Sequence, residues 1–170
     1  MRQRREMAVL LWNREMAFGS DRAVLLDRLD EAVRFAPQPT HGLVSKIIAG
    51  ACSRIPLLSK AGKAAGIDRL VESSAWVDAA LALIELELPG WRVRRLICED
   101  GQWHCSLSRQ PNLPIALDDT ADATHEVLPL AILLAFLQAR RRTALAAQSV
   151  PAVPLSEPVL AETICCDNFA

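Results

Sequence analysis

The pair Asp100-Gly101 narrows what this chain can become more than any other feature. It stands between two strand-like runs, Trp91–Cys98 and Gln102–Ser108. Asp-Gly in that setting predicts a tight hairpin, because both central residues of its turn need positive φ. The turn pairs Glu99 with Gln102, Cys98 with Trp103 and Leu96 with Cys105. Alternation then places Leu96, Cys98, Trp103, Cys105 and Leu107 on one face. Trp91, Val93, Arg95, Ile97, His104, Ser106 and Ser108 fall on the other. Two strands alone are marginally stable, so helices must cover them. A third strand or a second copy would complete the sheet, which motivates a homodimer.

Helical periodicity surrounds the hairpin. Ser20 caps a helix over Asp21–Phe35, with Val24, Leu25, Leu29, Ala32, Val33 and Ala36 turned inward. Arg22, Asp27, Arg28 and Asp30 lie mostly on its other side, and Pro37 and Pro39 end it. Shorter helices are expected over Leu43–Ser53 and over Pro56–Ala65, the latter stopping at Gly66. Ser74–Leu88 forms a helix with little polar face, ended by Pro89-Gly90. Gln110–Asp122 reads as a loop with a short edge strand near Leu113–Leu117. Thr124–Arg142 forms the last helix, with Val127, Leu130, Ala131, Leu134, Leu137 and Ala139 inward. Arg140–Arg142 sit at its negative dipole end.

The expected fold is therefore α+β and mostly helical, with a small antiparallel hairpin sheet packed between helices in an α-β-β-α unit. Its 170 residues suit one domain. That domain spans 20–142, with a frayed extension at 1–19 and a flexible Ala/Pro-rich tail at 143–170. Met7 and Met16 are alternative starts to Met1.

Charge and cysteine content limit the function classes. The net charge of −1 excludes a globally basic nucleic-acid binder but leaves local patches open. No apolar run approaches the roughly 20 residues of a membrane helix. Arg2, Arg4 and Arg5 precede apolar Met7–Trp12, but Asn13, Arg14 and Glu15 break that run too early for a signal peptide. The five cysteines, Cys52, Cys98, Cys105, Cys165 and Cys166, match no disulfide scaffold and read as reduced thiols. A cytoplasmic protein without membrane partners is expected.

The candidate chemistry is sparse. Cys98, His104 and Cys105 suggest zinc, but the register turns His104 away from both thiols. Gly62-Lys63 lacks the remainder of a phosphate-binding loop, with Leu57 and Ala64 at the required positions. There is no Gly-x-Ser-x-Gly elbow, and His41, His104 and His125 are scattered. Neither a metal nor a cofactor is expected. Arginines group at 2–5, at Arg92/Arg94/Arg95 and at Arg140/Arg141/Arg142. Arg92 and Arg94 are expected on one strand face and Arg95 on the other. Convergence of the strand and helix-end groups would hold phosphate or an acidic partner. The candidate ligand-binding residues are Arg92, Arg94, Arg95, His104, Arg140 and Arg141.

The stretch Trp76–Arg141 also carries a resemblance. Asp78-Ala79-Ala80-Leu81-Ala82-Leu83 leads into Leu88-Pro89-Gly90-Trp91-Arg92-Val93. The hairpin with Trp103 follows, then His125-Glu126 and the Ala-Leu-rich run from Pro129 to Ala139. This order resembles the small domain called the phage ABA sandwich. The resemblance implies a layered α-β-α domain encoded by a phage or prophage, and it carries no catalytic residue. The long apolar Leu83–Leu88 run and the acidic Asp118–Asp122 loop depart from it. The leading expectation is a small accessory protein that acts by binding another protein or itself, without catalysis. The alternative is a nucleic-acid or anionic-ligand binder using the clustered arginines; a third reading is an enzyme pocket around His104.

Overall fold

The computed structural model describes residues 21–55, 62–114 and 117–148. Five helices and one three-stranded sheet are assigned among them. Helix α1 covers 21–34. It is followed by α2 (His41–Ala51), α3 (Lys63–Glu72) and α4 (Trp76–Glu87). Strands β1 (Arg92–Glu99), β2 (Gln102–Ser108) and β3 (Ala121–His125) precede α5 (Leu128–Gln148). The fold is α+β, mostly helical, with an antiparallel sheet in the order β1-β2-β3.

The hairpin follows its turn chemistry. Asp100 and Gly101 have φ of 50° and 78°, as a turn with two positive-φ residues requires. Glu99 pairs with Gln102, Cys98 with Trp103 and Leu96 with Cys105, the expected register. Toward the other end of β1 the register shifts between Val93 and Arg95. Arg94 is the extra residue of this bulge, and one extra residue inverts the faces beyond it. Val93 therefore pairs with Leu107 and Arg92 with Ser108. The expected faces are corrected accordingly. Trp91 joins the Leu107 side, where it is 1% exposed. Arg92 shares a face with Arg95 rather than with Arg94.

The third strand comes from the chain itself. Ala121, Ala123 and His125 pair with Leu107, Cys105 and Trp103. This replaces the edge strand expected near Leu113–Leu117, where Leu113 N donates to Gln110 O in a turn; residues 115–116 lie outside the described set. Alternating Ala121 and Ala123 are buried while Asp122 and Thr124 are exposed. Such small side chains carry little strand propensity but let a helix approach the sheet closely. α5 packs on β2 and β3 there. It consequently begins at Leu128 instead of Thr124, and it continues to Gln148, past Arg142. His125 Nδ1 accepts from Val127 N at the entry (2.9 Å).

α5 is the axis of the core. Leu130 through Leu137 are all buried. The sheet lies on one side of this run, α4 packs against it as well, and α3 packs on α4. Burying each Leu, Ile or Phe contributes about 1.5–3 kcal/mol. α2 starts where Thr40 Oγ1 accepts from Leu43 N (3.2 Å), slightly before the expected Leu43. A Cβ at Gly50 would come within 3.0 Å of Leu29 Cδ1, so glycine lets α1 and α2 approach. α3 runs through Gly66, the expected stop; residues 56–61, where a helix from Pro56 is expected, lie outside the described set, as do 1–20 and 149–170.

The inward face of α1 differs from expectation. Leu26, Leu29, Asp30 and Val33 are buried, whereas Val24 and Leu25 are exposed. Asp30 tolerates burial because Arg34 donates to its Oδ2 (2.9 Å) and Arg141 approaches its Oδ1 (3.8 Å). Among the described residues no helix is long and apolar enough to cross a membrane.

Candidate functional site

The sheet has two unlike faces. Cys105, Leu107, Ala121 and Ala123 are buried on the side where α5 packs. Arg95, Ile97, His104, Ser106, Asp122 and Thr124 occupy the other side and are exposed or half-buried. These six line a hollow of about 280 Å³, joined by Glu99, by Cys105 and Ala123, by Arg34 of α1 and by Leu134 and Gln138 of α5, so helices border it as well as the sheet. Strand pairing sets their spacing: His104 stands between Ile97 and Thr124, and Ser106 between Arg95 and Asp122. This puts the hydroxyls of Ser106 and Thr124, one imidazole, and charges of both signs on one polar surface.

The charges are partly committed. Arg95 Nη2 is 3.4 Å from Glu99 Oε1, and Arg34 is held by Asp30. Asp122 Oδ2 accepts from Thr120 Oγ1 (2.6 Å). Among the described residues no hydrogen bond joins His104 to a carboxylate or a hydroxyl. The arrangement therefore offers donors and acceptors to a bound molecule rather than a nucleophile aligned with a base.

Only two of the six expected ligand residues, Arg95 and His104, meet in this hollow. Arg92 Nη1 donates to Trp91 O (2.9 Å). Arg94 pairs with Asp118 and donates to Leu113 O (2.7 Å). Arg140 Nη1 approaches Glu87 Oε2 (3.7 Å), and its Nη2 donates to Ser53 Oγ (3.3 Å). Arg141 Nη2 pairs with Asp27 (2.8 Å) and donates to Leu26 O (3.1 Å). Neighbouring Arg142 pairs with Asp119. The strand and helix-end groups thus do converge, through Arg94 and Arg142, but on the chain's own Asp118 and Asp119. Such internal pairing leaves the grouped arginines less available to phosphate.

The Asp118 side chain is shielded from solvent. The Ser108 hydroxyl holds its carboxyl below the ordinary value, assisted by Arg94 against the opposing effect of burial. Sequence reasoning missed a second carboxylate, Glu87, which is 2% exposed. Its Oε2 accepts from Ser53 N (2.9 Å), and its Oε1 accepts from Arg54 N (2.7 Å) and Ile55 N (2.9 Å). The available signal was an acidic residue on the buried side of a helix apolar nearly all round. A carboxylate survives there only by satisfying several donors.

Burial pushes the thiols of Cys52 and Cys105 up to about 12, so both are poor nucleophiles. Cys98 is exposed, and Cys165 and Cys166 lie outside the described residues. No group of three or more His, Cys, Asp or Glu among the described residues is placed to hold a metal ion. No family model, curated protein or solved structure matches this chain.

Proposed function

We propose that this protein is a non-catalytic binding module, an accessory protein of phage or prophage type, that receives a polar segment of another protein in the hollow its sheet shares with α1 and α5. One observation carries the reading: the three strands bring Arg95, His104, Ser106, Asp122 and Thr124 together around one polar hollow, which Arg34 of α1 and Leu134 and Gln138 of α5 help to line. Alternating hydroxyl, imidazole and charged groups on paired strands suit hydrogen bonding to an extended polypeptide. The order of α4, the three strands and α5 has the helix, strands, helix succession that the phage ABA sandwich resemblance implies. The internal pairing of the grouped arginines favours a protein partner over an anionic ligand.

Photo-crosslinking tests this function. A photoreactive residue replaces Ser106 in one variant and exposed Asp68 of α3 in another. A discrete adduct from position 106, lost when His104→Glu is added, supports the proposal. Equal adducts from both positions, or none, overturn it. A small molecule bound stoichiometrically in native mass spectrometry, and lost on His104→Glu, would also replace the protein-binding reading with a ligand pocket.

A further inference from the structure

The outward side of α1 presents Val24, Arg28 and Glu31, continued by Phe35 in the turn that follows, spaced four, three and four residues apart. At 100° per residue these positions form one stripe. It lies opposite the buried Leu26, Leu29 and Val33. All four residues are exposed, with Val24 at 48% and Phe35 at 77%. Arg28 and Glu31 make no ion pair with a described residue. After Phe35, the chain turns through Ala36, Pro37 and Leu43, which help line an apolar hollow of about 520 Å³.

The order apolar, positive, negative, apolar is its own complement when reversed. A two-fold axis between Arg28 and Glu31, perpendicular to α1, opposes Val24 to the other copy's Phe35. The same axis opposes Arg28 to the other copy's Glu31, twice over. A two-fold interface must be self-complementary in just this sense. We infer that a second copy of this chain docks here, with the two α1 helices antiparallel. The inference does not rest on the proposed function: none of the four stripe residues lines the polar hollow, which α1 borders through Arg34. The sheet already obtains its third strand internally, so sheet completion plays no part in the association. A contact between helices of this length is small, so the dimer is weak and forms at high protein concentration.

Sedimentation equilibrium of the full chain at about 5–500 µM and low ionic strength tests the inference, since weak charged contacts respond to concentration and salt. Arg28→Glu, Glu31→Arg and the double swap Arg28→Glu/Glu31→Arg are compared, with circular dichroism confirming that each is folded. The wild type is expected to dimerise. Each single swap places like charges together at both contact points and should weaken dimerisation about tenfold or more. The double swap restores opposite charges and should return it to within about threefold of wild type. Phe35→Ser should also weaken it, whereas His104→Ala should not. A wild type that stays monomeric, including one whose first 20 residues cover α1, overturns the inference. So does a dimer indifferent to the single swaps, or a double swap no better than either single.

Discussion

Arg140 and Arg142 stand two residues apart on α5, and each meets a carboxylate from another segment. Their settings differ. Arg140 reaches Glu87, whose side chain is shielded and already receives three backbone amides. Arg142 reaches Asp119, which is well exposed. The first carboxylate joins the chain after α2 to the end of α4, while the second ties one loop to a helix surface. The difference teaches that neighbouring arginines divide by burial. In the interior, losing one partner leaves charge and donors unsatisfied. At the surface, water takes the lost partner's place.

Removing the buried carboxylate tests the contrast most severely. Glu87→Ala should destabilise the protein by about 3–5 kcal/mol in urea unfolding. A loss under about 1 kcal/mol would show that water serves those amides equally well. The tryptophans of the hairpin region extend the comparison into apolar packing. Trp91→Ala should lose about 3–5 kcal/mol, because the bulge places it in the core. Half-buried Trp103 should lose roughly half as much on the same substitution. Equal losses would remove the bulge's consequence for the two faces.

Asp118 is shielded like Glu87, and pH reveals its contribution. Its folded-state pKa is depressed, so its contribution is present above the ordinary aspartate value of 3.8 and is lost as pH falls through the lower folded value. Asp118→Asn should therefore lower Tm at pH 7 and flatten the fall in stability below about pH 4. A parallel downward shift at every pH would assign Asp118 a packing role instead. The smallest effect belongs to Asp119→Asn, expected within about 0.5 kcal/mol of wild type by urea unfolding. A larger loss would make the exposed pair equivalent to the buried one.

Much of the fold was legible because local chemistry suffices for it. Asp100-Gly101 set the turn and the near register, and Pro89-Gly90 marked the end of α4. The bulge at Arg94 was not legible, since a strand shows no local sign of which residue goes unpaired. β3 was missed because Ala-Asp-Ala-Thr-His resembles a helix entry until α5 is set against its alanines. The inward turn of Asp30 depended on Arg141, more than a hundred residues away. Of the candidate site, His104 and Arg95 were placed correctly on one face. Arg34, Asp122, Thr124 and Gln138 were missed because they come from segments that only packing brings alongside.

The sequence by itself determined the class of fold, the hairpin and its turn, and the burial of the two apolar helices, because those follow from backbone sterics and periodicity within a few residues. Only the tertiary structure decided which arginines remain at the surface, which sheet residues border the polar hollow, and that Val24 and Phe35 point outward. Those outcomes depend on where α5 lies, and through it on which distant carboxylates are shielded from water and must find a partner.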